Sequence, residues 1–126
     1  MHGEYVVADH SLPLQEVATV VNGRFDEWGV LDDGSSIIVI REDLWKETML
    51  PISPAHAMRM EGADTSKSVT LGSVQDLRIT VGEITVLVQA QVVKNAPFRL
   101  LLGRPFFSVT QATRKDTSSG DYLLTI

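Results

Sequence analysis

Between Trp28 and Ile40 two apolar runs, Trp28-Gly29-Val30-Leu31 and Ile37-Ile38-Val39-Ile40, enclose a polar knot, Asp32-Asp33-Gly34-Ser35-Ser36. Each run has the length and β-branched content of a strand. Two adjacent carboxylates set between core strands lose hydration unless backbone donors or a counter-charge satisfy them. Any fold this chain adopts must therefore be built to hold that knot. Gly34 helps, since a residue without Cβ lets the backbone turn sharply and lets a second backbone come close.

The rest of the chain supplies strands to surround it. Leu14 to Val21 is β-rich, Asn22-Gly23 is a turn signal, and Phe25 to Leu31 runs back, a hairpin that delivers Asp32 at its far end. The fully apolar run Ile37 to Ile40 reads as a strand buried on both faces. Arg41 to Met49 reads as a helix of two turns with Leu44, Trp45 and Thr48 on one side and Pro51 enforcing its end. From Ala57 to Val74 the pattern predicts a long hairpin with a small, polar tip, which on residues alone is an ordinary surface hairpin. Leu77 to Val81 and Ile84 to Val93 form another hairpin about Gly82-Glu83. After the break at Asn95-Ala96-Pro97 come a strand, Leu100 to Leu102, and a short helix at Arg104 to Phe107 with Pro105 in its first turn. Ser108 to Arg114 and Tyr122 to Ile126 are expected to close the chain as a terminal hairpin. Short strands at close intervals with one or two short helices predict an all-β domain, closed or sandwiched, over residues 14–126. Residues 1–13 show no period and read as a lead-in arm or a cloning remnant.

Composition narrows the chemistry. A chain of 126 residues, 44% hydrophobic and 21% charged, is one ordinary domain. A formal charge of −5 argues against a nucleic-acid partner, which usually meets a basic face. No window approaches the roughly 18 apolar residues of a membrane span, and no basic segment followed by an apolar one opens the chain. These features predict no membrane partner and a cytoplasmic or nuclear setting. The absence of cysteine excludes disulfides and thiol nucleophiles. His2, His10 and His56 have no spacing that gathers them on a metal, Ser35 and Ser36 have no histidine nearby in sequence, and no glycine-rich phosphate loop occurs. No metal or cofactor is expected. Met58, Met60, Trp28 and Trp45 read as core or pocket lining.

The apolar-apolar-Asp-x-Gly-Ser knot resembles the active-site loop of aspartic proteases, most closely the retropepsins of retroviruses and gypsy-type retrotransposons. Phe98-Arg99-Leu100-Leu101-Leu102-Gly103-Arg104-Pro105-Phe106 adds to the resemblance, which extends from about Leu14 to Ile126 and is nearest to domains of fungal retrotransposon polyproteins. It implies a retropepsin-like closed β-barrel, one lobe of an aspartic protease. Asp32 is then the catalytic position within a loop that includes Asp33, Gly34 and Ser35, with Gly103 and Arg104 supporting it. The hairpin tip at Glu61, Gly62, Ala63 and Asp64 becomes a flap over bound peptide. The chain has no second Asp-x-Gly-Ser, so a pair of catalytic carboxylates requires a homodimer acting on a peptide or polyprotein substrate.

Two positions depart from the family pattern. Asp33 stands where the family usually has Thr or Ser, adding a carboxylate that accepts hydrogen bonds without donating them. Ser36 stands where an acid usually meets the arginine after the second glycine, which leaves Arg104 to reach Asp33, another acid or the partner chain, or to lie partly exposed at a helix start. Two functions stay open: an aspartic endopeptidase, and a catalytically degenerate retropepsin-like module for dimerisation or extended-peptide binding.

Overall fold

The computed structural model describes residues 8, 12–61 and 67–126. Strands β1 (Glu16–Val21) and β2 (Phe25–Leu31) form the first hairpin, with Glu16 opposite Val30 and Val21 opposite Phe25. Asn22 and Gly23 turn it through left-handed backbone, which these two residue types tolerate. β3 (Ile38–Arg41) leads into helix α1 (Glu42–Thr48). A 3-10 turn at Pro54–His56 is followed by β4 (Arg59–Glu61), β5 (Lys67–Val69), β6 (Gly72–Val81) and β7 (Ile84–Val93). The chain ends with β8 (Leu100–Leu102), helix α2 (Arg104–Thr110), β9 (Thr113–Asp116) and β10 (Tyr122–Thr125).

Six strands close a barrel in the order β1-β2-β8-β3-β7-β6, the β1–β6 pairing completing the ring. The expected all-β barrel with two short helices is what forms. Its interior holds Leu31, Ile38, Ile40, Leu77, Leu100, Leu102 and Phe106, all fully buried. A second cluster, Val30, Val39, Val93 and Leu101, packs on the other side of the same strands. β3 is thus buried on both faces, because Ile38 and Ile40 enter one cluster and Val39 the other. Burying such side chains contributes about 1.5–3 kcal/mol each, so this crossing is held from both faces.

Three boundaries differ from those read in the sequence. Helix α1 runs from Glu42 to Thr48, one residue shorter at each end than expected, and is closed by the left-handed backbone of Met49, whose N–H reaches Lys46 O, and not by Pro51. β6 begins at Gly72, ahead of the alternating run, because a bulge between Val74 and Leu77 absorbs the break in period. The Gln89 side chain satisfies that bulge, accepting from Asp76 N–H and donating to Asp76 Oδ1, both at 3.0 Å. Helix α2 continues through Ser108, Val109 and Thr110, residues expected in a strand. The Thr110 hydroxyl donates to Phe106 O at 2.8 Å, bonding back to the preceding turn.

Candidate active site

β8 is threaded between β2 and β3, parallel to the first (Leu31 opposite Leu102) and antiparallel to the second (Ile40 opposite Leu100). The polar knot must therefore bridge the end of β8. It is pinned there by two backbone bonds, Asp32 N–H to Leu102 O at 3.1 Å and Arg104 N–H to Ser35 O at 2.8 Å. Gly103 lies directly beneath. A Cβ at that position would stand 2.0 Å from Ile37 O and 2.8 Å from Ser35 O, so no other residue type fits without moving the loop. The two sequence motifs meet because each supplies one side of this contact.

Within the loop, the half-buried Asp32 accepts from Gly34 N–H through Oδ1 at 3.1 Å, and Ser35 N–H reaches Asp32 O at 3.1 Å. These are the bonds of a tight turn initiated by an aspartate. The Ser35 hydroxyl donates to Ile37 O at 3.0 Å and is occupied in holding the loop. Asp33 points outward, its side chain 65% exposed, with Oδ2 3.5 Å from Arg114 Nη2. Arg104, expected to reach Asp33 or another acid, is exposed, and among the described residues its guanidinium joins no ion pair. Its backbone does the supporting. Arg114 is the residue that sequence reasoning missed: it lies in β9, among residues read as strand end and turn, and only the folded hairpin brings it to the loop. Asp33, Arg104, Ser108, Arg114 and Asp116 line one polar cleft.

Among the described residues of the stretch expected as one long hairpin from Ala57 to Val74, only the short strands β4 and β5 pair with each other, and from Gly72 the chain joins the barrel as β6. β4 and β5 are antiparallel, Glu61 opposite Lys67, while Gly62, Ala63 and Asp64 lie outside the described residues. The base of this short hairpin is fixed by Thr70, which donates its N–H to Met58 O, accepts Met58 N–H on its hydroxyl, and donates that hydroxyl to Gln91 Oε1 at 2.7 Å. Trp45 packs against the barrel core, whereas Trp28 is exposed on the outer face of β2, lining a hollow with Ala18 and Val20. Among the described residues no helix is long and apolar enough to cross a membrane.

A barrel in which one strand passes between two others beneath an Asp-x-Gly-Ser turn is a retropepsin-like lobe, the half-unit of aspartic proteases. The aspartyl protease family model matches residues 17–106, a span that takes in both the acidic turn and Gly103, and the chain belongs to that family. The structure is similar to the crystal structure of the retroviral protease-like domain of Ddi1 from Leishmania major, with a TM-score of 0.68 over 91% of this chain and 90% of that one. At 13% identity that likeness speaks to the fold. No curated protein sequence matches the chain.

Proposed function

We propose that this chain, as a single domain over residues 14–126, is an aspartic endopeptidase that works as a homodimer. Asp32 is the catalytic residue of each copy, and Asp33, Gly34, Ser35, Gly103 and Arg104 form the loop and its support. The observation that carries this reading is the half-buried Asp32 carboxylate, fixed by a local turn at the β2–β8–β3 crossing and, among the described residues, engaged there by Gly34 N–H alone. With one such turn per chain, the second carboxylate comes from a second copy across a two-fold axis.

Two carboxyl groups at contact distance do not both ionise, a property established for aspartic proteases as a class. The ionised member takes a proton from water as the water oxygen attacks the scissile carbonyl, and the protonated member donates to the carbonyl oxygen. The resulting tetrahedral diol collapses as the carbon–nitrogen bond breaks: the carboxyl that took the water proton gives it to the leaving amine, and the other carboxylate takes a proton from a diol hydroxyl. The β4–β5 hairpin, with its tip from Glu61 to Asp64, is the cover over an extended peptide, and a polyprotein containing this domain is the natural substrate. Activity is favoured at acidic pH, where one of the pair holds its proton.

The test is peptide cleavage across acidic pH by the parent chain and by Asp32→Asn. Loss of at least about a hundredfold in the variant supports the assignment. Equal cleavage by the two removes Asp32 from the mechanism. A second reading is favoured by the outward Asp33 carboxylate, since two of them near a dimer axis oppose both association and the ionised member of the pair: a module that binds extended peptide without cutting it. An extended precursor that stays intact while the domain binds peptide supports this module. Discrete, pepstatin-sensitive fragments support the enzyme.

A further inference from the structure

We infer that Arg114 is a positioning residue for the acidic turn, the counter-charge that accommodates Asp33 and couples the β9–β10 hairpin to Asp32. The inference rests on the proposed catalytic role of Asp32, and it concerns a residue outside the span matched by the family model. Among the described residues Arg114 is the one cation within ion-pair distance of either loop carboxylate, at 3.5 Å from Asp33. Its side chain is only 20% exposed, and its Nε lies 3.7 Å from Asp116 Oδ1 on the same strand, so the guanidinium sits between two carboxylates. Arg104, the other arginine of the cleft, enters no ion pair among the described residues, so the charge balance of the loop falls to β9.

A second set of contacts docks the same hairpin beside the same loop. The Tyr122 hydroxyl of β10 donates to Glu16 O. Gln15 Nε2 donates to Gly120 O at 3.0 Å, and Gln15 O accepts Leu31 N–H at 2.7 Å, immediately before Asp32. The hairpin therefore reaches the turn by two routes, through Gln15 to its entry and through Arg114 to its outer carboxylate. Among the described residues, the charged and titratable groups near Asp33 are Asp32 on its own loop, Arg104 from α2, and Arg114 and Asp116 from β9, with Tyr122 of β10 in the field of Arg114. Without Arg114 the negative charge beside the catalytic pair is uncompensated. That favours the protonated form of the pair and moves both limbs of a pH profile upward.

The experiment compares Arg114→Gln, Arg114→Lys, Asp33→Thr and the Arg114→Gln/Asp33→Thr double variant by amide hydrogen exchange, read at Asp32 and Arg104, whose N–H groups pin the loop. Arg114→Gln is expected to speed exchange at these amides about two- to fivefold, the range of a partly exposed ion pair, with Arg114→Lys restoring much of the protection. In the Asp33→Thr background the same change has no effect. Unchanged exchange in Arg114→Gln, or equal acceleration with and without Asp33, overturns the inference. In peptide cleavage, Arg114→Gln shifts the pH profile upward and Asp33→Thr abolishes the shift; a profile unmoved by Arg114→Gln overturns it. A parent chain that cleaves nothing removes the protease reading while the exchange arm still decides the role of Arg114.

Discussion

Two groups of acids among the described residues are treated in opposite ways. On one side Glu27 from β2 with Asp43 and Glu47 from α1 surround Arg99, with Arg99 Nη1 2.9 Å from Glu27 and Nη2 2.9 Å from Glu47. Arg99 Nε stands 3.2 Å from Asp43 Oδ2 but out of line for a hydrogen bond, so that contact is electrostatic. Arg41 completes the cluster with two bonds to Asp43, at 2.7 and 3.0 Å, and one to Ala96 O. Burial works against the charge on Arg99, and its bonds to Glu47 and the field of Glu27 more than offset this, raising its pKa. On the other side Asp32 is held by its own turn, and Asp33 meets a single arginine. Where every acid has a partner, charge ties strand to helix. Where, among the described residues, a carboxylate is positioned by backbone and meets no cation, as at Asp32, it keeps an oxygen for the role proposed above.

Both clusters hang on the same three-residue strand, since Arg99 immediately precedes β8 and Gly103 immediately follows it. The most damaging change removes that shared frame. Gly103→Ala is expected to cost about 4 kcal/mol or more, because the added methyl meets backbone on both sides, and thermal unfolding will show it as a large fall in Tm. The contrast sharpens when each cluster is struck alone. Arg99→Ala leaves Glu27, 14% exposed, without its cation; after discounting for solvent around the partly exposed pair, the expected loss is about 2 kcal/mol in denaturant unfolding. Asp32→Asn should leave unfolding within about 0.5 kcal/mol of the parent while removing cleavage. If both variants lose stability equally, the division of labour between the clusters is wrong.

The smallest effect is a pH dependence confined to the first cluster. The hydrogen bonds from Arg41, opposed by partial burial and aided by the charges of Arg41 and Arg99, lower the Asp43 pKa from 3.8 to about 2. A depressed carboxyl contributes stability that is present above its unfolded value and lost as pH falls through the folded one. Asp43 should thus stabilise the fold above about pH 4 and release that contribution between about pH 4 and 2. Its side chain is 51% exposed, so the amplitude is under about 1 kcal/mol. Asp43→Asn should flatten that part of the stability profile, as measured by urea unfolding at stepped pH.

Much of this arrangement was legible in residue order, and the failures are physical. The strands of the barrel announce themselves through β-branched runs and period-two alternation, whereas the meeting of the two glycine motifs was expected from the family resemblance and not from periodicity. The extent of α2 was not legible, since Ser108, Val109 and Thr110 have no helical preference and are carried by a hydroxyl bond to the preceding turn and by the buried Phe106. The partner of Asp33 was not legible either. Nothing in the neighbourhood of Arg114 marks it, and the family resemblance pointed to Arg104, the arginine after Gly103, as the partner of an acid. Adjacency placed its backbone against the loop and left its side chain in solvent.

The central claim is that one acidic turn becomes hydrolytic only when two copies bring theirs together. It is tested most directly by measuring cleavage per mole of chain over a dilution series alongside molecular mass by sedimentation. The account predicts that specific activity falls with the fraction of dimer and that added Asp32→Asn chain suppresses the parent by forming mixed pairs. Constant specific activity at concentrations where only single chains sediment would contradict it.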